Sequence, residues 1–233
     1  MPITAIARKS HVVTTSAPSP GAADRHTEAE PAAGQFYMGR RLDNRPESLA
    51  TWRIETSDVA VGSGVAELLG AAPAPSAPGA IGAVEVQTRA SEVRIVLAAN
   101  SAVTTDMRLW GQGRLTHHCD GIVHLSPAPV SGELCGCPTL MAERKALAKA
   151  GRGPHPSATV RFRLAQAPAF GQFRFQSASW KFAESLPGVR AALAAIEGAA
   201  LCELAIRRVD VPVGGGSCLA YRIPVLTVLG PWG

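Results

Sequence analysis

The chain has 233 residues, enough for one large domain or two small ones. Its 46% apolar and 18% charged content excludes a wholly disordered polymer, although only 5% of residues are aromatic. The net charge of +5 is concentrated in residues 139–163, which hold Arg144, Lys145, Lys149, Arg152, Arg161 and Arg163 against a single acid. A total this modest does not by itself argue for nucleic-acid binding.

In chain order, residues 1–33 are rich in Ala, Pro, Ser and Thr without periodicity, which predicts a disordered tail. Arg8 and Lys9 are followed by no apolar run, so no signal peptide is expected. From Thr51 to Thr56 apolar and polar residues alternate, as in a half-buried strand. Ser57 or Asp58 can then cap a helix running to about Leu69, with Gly70 as its stop. Leu68 to Val84, the longest uncharged stretch at 17 residues, contains Pro73, Pro75 and Pro78 and reads as a linker rather than a membrane span. Residues 83–88 and 92–97 then form an expected strand pair.

The same order returns near the other end. Gln172 to Ser177 alternates, and Pro187-Gly188 turns into a helix with Val189, Leu193 and Ile196. Strands at Leu201–Val209 and Tyr221–Leu229 follow, joined through Gly214–Gly216. Strand–helix–strand–strand thus appears twice, about 120 residues apart. The expected fold is α+β: a first half at 34–115 and a second at 158–233, related by internal duplication, flank an insert at 116–157.

The insert concentrates the chemistry. Three of the five cysteines, Cys119, Cys135 and Cys137, fall within nineteen residues, in a chain whose odd cysteine count and lack of an export signal favour free thiols over disulfides. Thiolates and an imidazole suit a tetrahedral metal ion, and the expected set is Cys119, Cys135, Cys137 and His155, a closed structural zinc site. His117, His118 and His124 compete for the fourth position. Cys202 and Cys218 fall in predicted strands and read as small core residues. A helix from Leu140 to Ala150 carries Arg144, Lys145 and Lys149 beside this module, either as a partner surface or as a solvated face.

Catalytic signatures are missing. The sequence has no phosphate-binding loop, nucleophile elbow or HExxH helix, and Gly214–Gly216 leads into a strand rather than a helix N-terminus. A zinc hydrolase using Asp120 or Glu133 as acid or base has thin support.

Several segments carry a resemblance: Thr51-Trp52-Arg53-Ile54, Val65 to Gly70, Cys119-Asp120-Gly121, Cys135-Gly136-Cys137-Pro138, Arg161 to Ala165, Gly171 to Trp180, and Ile223 to Leu226. Over residues 34–230 the chain resembles the recombination directionality factors of actinobacterial phages that use large serine integrases, a family with bacterial relatives labelled metal-binding. The resemblance implies a regulator without catalytic residues, with His155 standing where the family usually has a fourth cysteine. It implies a protein of the host bacterial cytoplasm that binds the integrase on attachment-site DNA, with no membrane or small-molecule substrate and no strong DNA binding of its own. It would activate attL × attR excision and inhibit attP × attB integration, with Arg144, Lys145, Lys149 and Arg152 as the expected partner-binding cations. The alternative is a small DNA-binding, excisionase-like protein, but no helix-turn-helix or winged segment supports it.

Overall fold

Alternation from Thr51 onward turns Trp52, Ile54 and Thr56 to one side of a strand, and all three are buried. That strand is the second in a computed structural model that describes residues 32–233 apart from 43, 44, 72, 76–83 and 214–216. The expected tail thus lies almost wholly outside the described residues.

The first hairpin comprises β1 (Gly34–Leu42) and β2 (Arg45–Thr56). Asp58 then caps α1 (Val59–Leu68), its carboxylate accepting from the Ala60 and Val61 N–H groups at 2.8 and 3.1 Å. Part of the expected linker forms β3 (Pro73–Pro75), which pairs antiparallel with β4 (Val84–Gln87). Next come β5 (Glu92–Leu97), β6 (Val103–Gly111), β7 (Arg114–Cys119) and the short β8 (His124–Ser126). The basic helix is α2 (Met141–Lys149), followed by β9 (His155–Leu164) and β10 (Phe173–Ser177). The chain closes with α3 (Trp180–Ala194) and a long hairpin of β11 (Ala200–Val213) and β12 (Ser217–Pro231).

The result is α+β and mostly strand. The main path of the sheet runs β12-β11-β5-β9-β10-β1-β2-β4-β3. Strand β9 is its branch point. One edge pairs with β10; the other pairs with β6 over His155–Val160 and with β5 at Arg163 and Leu164. The β6–β7–β8 branch therefore leaves the main path and carries the cysteine-rich segment.

Two sequence expectations change. The strands at 84–87 and 92–97 are not partners: β4 lies between β2 and β3, whereas β5 lies between β11 and β9. The third helix starts at Trp180 rather than after Pro187, because Ser179 caps it by accepting from the Phe182 N–H group. Pro187 sits inside the helix, tolerated where Phe182, Ala183, Leu186, Val189 and Leu193 bury one continuous face. The two strand–helix–strand–strand units also have different neighbours. β2 pairs directly with β4, whereas β9 and β5 separate β10 from β11. Strands from both expected halves interleave, since β1 pairs parallel with β10.

The core lies between one face of the sheet and helices α1 and α3. Few aromatics suffice because they are pooled: Phe36, Trp52, Phe162, Phe173, Phe175 and Phe182 are all at most 1% exposed. Edge-on contacts at 5.1 to 5.8 Å join Phe36 to Trp52, Phe162 and Phe173, and Phe175 to Trp52 and Phe182. Such pairs add about 0.5–1.5 kcal/mol each beyond area burial. Cys202 joins this core as expected; Cys218 does not, being exposed on the outer part of the β11–β12 hairpin.

Candidate metal centre

Residues two apart on a strand share a face, so His117 and Cys119 project together from the end of β7. The chain then reverses tightly. The Asp120 carboxylate accepts from the Ile122 and Val123 N–H groups at 2.7 and 2.8 Å, which holds it below the usual carboxylate range. Gly121 adopts φ +97°. Val123 bridges to Leu134, and Cys135 N–H donates to the Ile122 carbonyl at 2.9 Å. This brings the Cys-x-Cys segment back to the β7 terminus. Gly136, at φ +69°, supplies the left-handed turn between Cys135 and Cys137.

The outcome is a cluster of His117, Cys119, Cys135 and Cys137 whose ligand atoms all lie within 4.8 Å of one another. Cys119 Sγ is 3.7 Å from Cys137 Sγ, and Cys137 Sγ is 3.5 Å from His117 Nε2. A tetrahedral ion with metal–sulfur bonds of about 2.3 Å and metal–nitrogen bonds of about 2.05 Å has S···S and S···N edges of roughly 3.8 and 3.6 Å. Both distances fit. The His117 Nε2–Cys119 Sγ edge is shorter, at 3.1 Å. The cluster could hold a metal ion, and three thiolates with one imidazole form a soft, closed donor set.

Electrostatics agree with that chemistry. Burial pushes the Cys119 and Cys137 thiols up, so without a cation both stay protonated at neutral pH. Burial, then the neighbouring His124 and His118, pushes His117 down, which keeps its imidazole in the neutral, ligating form.

The structure thus joins three of the four expected ligands to His117, not to His155. Cross-strand partners share a face, and the row His118–Arg108–His155 runs across β7, β6 and β9. His117 and Cys119 point to the other side. His155 instead lies beside Trp180, with ring centroids 6.3 Å apart. His124, opposite Cys119 on β8, packs its ring 4.8 Å from that of His117. His118 is engaged on its own face, with Nε2 2.9 Å from Asp106 Oδ2 and Nδ1 2.8 Å from Ser126 Oγ. The overlooked sequence signal was His117-x-Cys119 at strand spacing.

The four expected partner-binding cations also divide. Lys145, Lys149 and Arg152 are exposed. Arg144 turns inward: Nε donates to the Pro138 carbonyl at 2.5 Å and Nη2 to the Gly121 carbonyl at 2.8 Å. It fastens α2 to both ligand-bearing loops. Among the described residues, no helix is long and apolar enough to cross a membrane.

No solved structure matches the chain. Residues 20–227, however, match the family described as Gp3-like, recombination directionality factor-like, and the chain belongs to that family.

Proposed function

We propose that the protein binds a phage large serine integrase on attachment-site DNA, favouring attL × attR excision over attP × attB integration. Membership of the directionality-factor family is the observation that carries this reading, and it implies an integrase or recombinase partner. In this reading the strand cleavage and rejoining belong to the integrase. A four-ligand cluster leaves no open coordination position, and the Asp120 carboxylate is committed to backbone N–H groups. We assign zinc a structural role, holding the β7 end, the Cys135–Cys137 loop and, through Arg144, helix α2 as one rigid piece. Lys145 and Lys149 on that helix, with Arg152 just beyond its end, form the proposed integrase contact in the bacterial cytoplasm.

The physics is a population shift. The factor changes direction by binding one arrangement of the integrase more tightly than the other. Inverting a strong bias takes about 5 kcal/mol of differential affinity, spread over the bound subunits. Gel shifts and recombination with purified components test this. The protein should leave duplex attachment-site DNA unshifted, supershift the integrase–DNA complex and switch on attL × attR recombination. A direct shift of duplex DNA with no effect on integrase would establish the excisionase-like alternative instead.

A further inference from the structure

Both α1 and α3 pack on the aromatic face of the sheet, and the opposite face is built differently. It carries Arg53 on β2, Tyr37 and Gln35 on β1, Arg174 and Gln176 on β10, Arg161 on β9, and Arg108 on β6. Several of these charges are neutralised locally. Arg53 ion-pairs with Glu55 and Glu85 and stacks over Tyr37, 4.4 Å from the ring centroid. Arg108 ion-pairs with Asp106, the same carboxylate that meets His118.

Arg161 and Arg174 differ. They are direct cross-strand partners, and among the described residues neither has a carboxylate within ion-pair distance. Like charges placed directly opposite each other destabilise a sheet. Gln35 is paired with Arg174 and lies at the margin of a cleft of about 420 Å³. Arg108, Trp110, His155, Ser157 and Gln176 also line this cleft. Trp110 is 60% exposed there, unusual for so large an apolar ring.

We propose that this open sheet face binds single-stranded nucleic acid, with Arg161 and Arg174 on backbone phosphates and an unstacked base in the cleft against Trp110. Paired guanidinium forks match phosphate oxygens. An aromatic ring in a concave, amide-lined cleft reaches the face of an unpaired base but not of one stacked in a duplex. An acidic peptide would satisfy the two arginines and leave the tryptophan and glutamines unexplained. The inference goes beyond integrase binding and uses a face separate from the metal cluster.

The test is fluorescence anisotropy of a labelled oligothymidine with the full-length, zinc-loaded protein and no integrase. Failure here would therefore leave the recombination assay unaffected. Binding should weaken with salt. Arg161→Gln with Arg174→Gln should reduce the log–log salt slope by about 1.4, from about 0.7 per lost phosphate contact. Trp110→Ala should weaken binding about tenfold without changing that slope, and Trp110→Phe should restore most of it. Circular dichroism and zinc content verify that each variant folds; one that does not is replaced by Arg161→Lys with Arg174→Lys, which should keep the slope and weaken binding. Equal affinity for a duplex of the same length, equal competition by polyglutamate of matched charge, or no binding at low salt would each overturn the proposal.

Discussion

Arg144 offers a sharp test of how the candidate metal centre is held together. Its guanidinium donates to the carbonyls of Pro138, one residue after Cys137, and Gly121, two residues after Cys119. A Cβ at position 121 would overlap that guanidinium, so the glycine makes room for the brace. A hydrogen bond from a charged donor contributes about 1.5–3 kcal/mol. Because Arg144 is only partly buried and water can replace it, the two together contribute about 2–4 kcal/mol. Arg144→Gln should lower stability by that amount and weaken zinc binding about 10–100-fold, as expected for a group that orients ligand-bearing loops. Charge reversal at the exposed Lys145, Lys149 or Arg152 should change stability by no more than about 0.5 kcal/mol each. Urea unfolding of the zinc-loaded protein measures the first effect, and competition with a chromophoric chelator the second. An Arg144→Gln protein with parental unfolding midpoint and zinc affinity would refute the bracing argument.

Three other outcomes follow from the same geometry. Protein purified without chelator should contain about one zinc per chain; His117→Ala or Cys137→Ser should abolish it and His155→Ala should not, as elemental analysis would report. Phe175→Ala should destabilise the protein by about 3–5 kcal/mol, because Phe175 is fully buried between Trp52 and Phe182; an unfolding midpoint within error of the parent would contradict the core assignment. At pH 8 iodoacetamide should alkylate exposed Cys218 and spare Cys202, whose thiol burial both shields and pushes up to about 11. Because alkylation requires the thiolate, Cys202 should react only as pH approaches that value or on unfolding, and mass spectrometry of the labelled peptides would show it.

The sequence by itself determined the elements whose signals are local. Ser57-Asp58 before an apolar helical run marked α1, and alternation marked the buried sides of β2 and β10. The Gly214–Gly216 connection marked the β11–β12 hairpin, although those glycines lie outside the described residues. Three clustered cysteines likewise pointed to a metal centre. Tertiary structure decided everything that depends on which strands meet. The separation of β4 from β5 and the insertion of β1 beside β10 are long-range pairings, and short-range periodicity does not encode a strand's neighbour. Composition placed Arg144 among the surface cations, but only the approach of two distant carbonyls turned it inward. The fourth member of the candidate metal cluster shows the division most clearly. Strand spacing already put His117 on the side of Cys119, yet His155 was set apart from the cluster only once β6 joined β7 to β9. That join placed His155 in the row of Arg108 and His118, on the opposite face of the pleat.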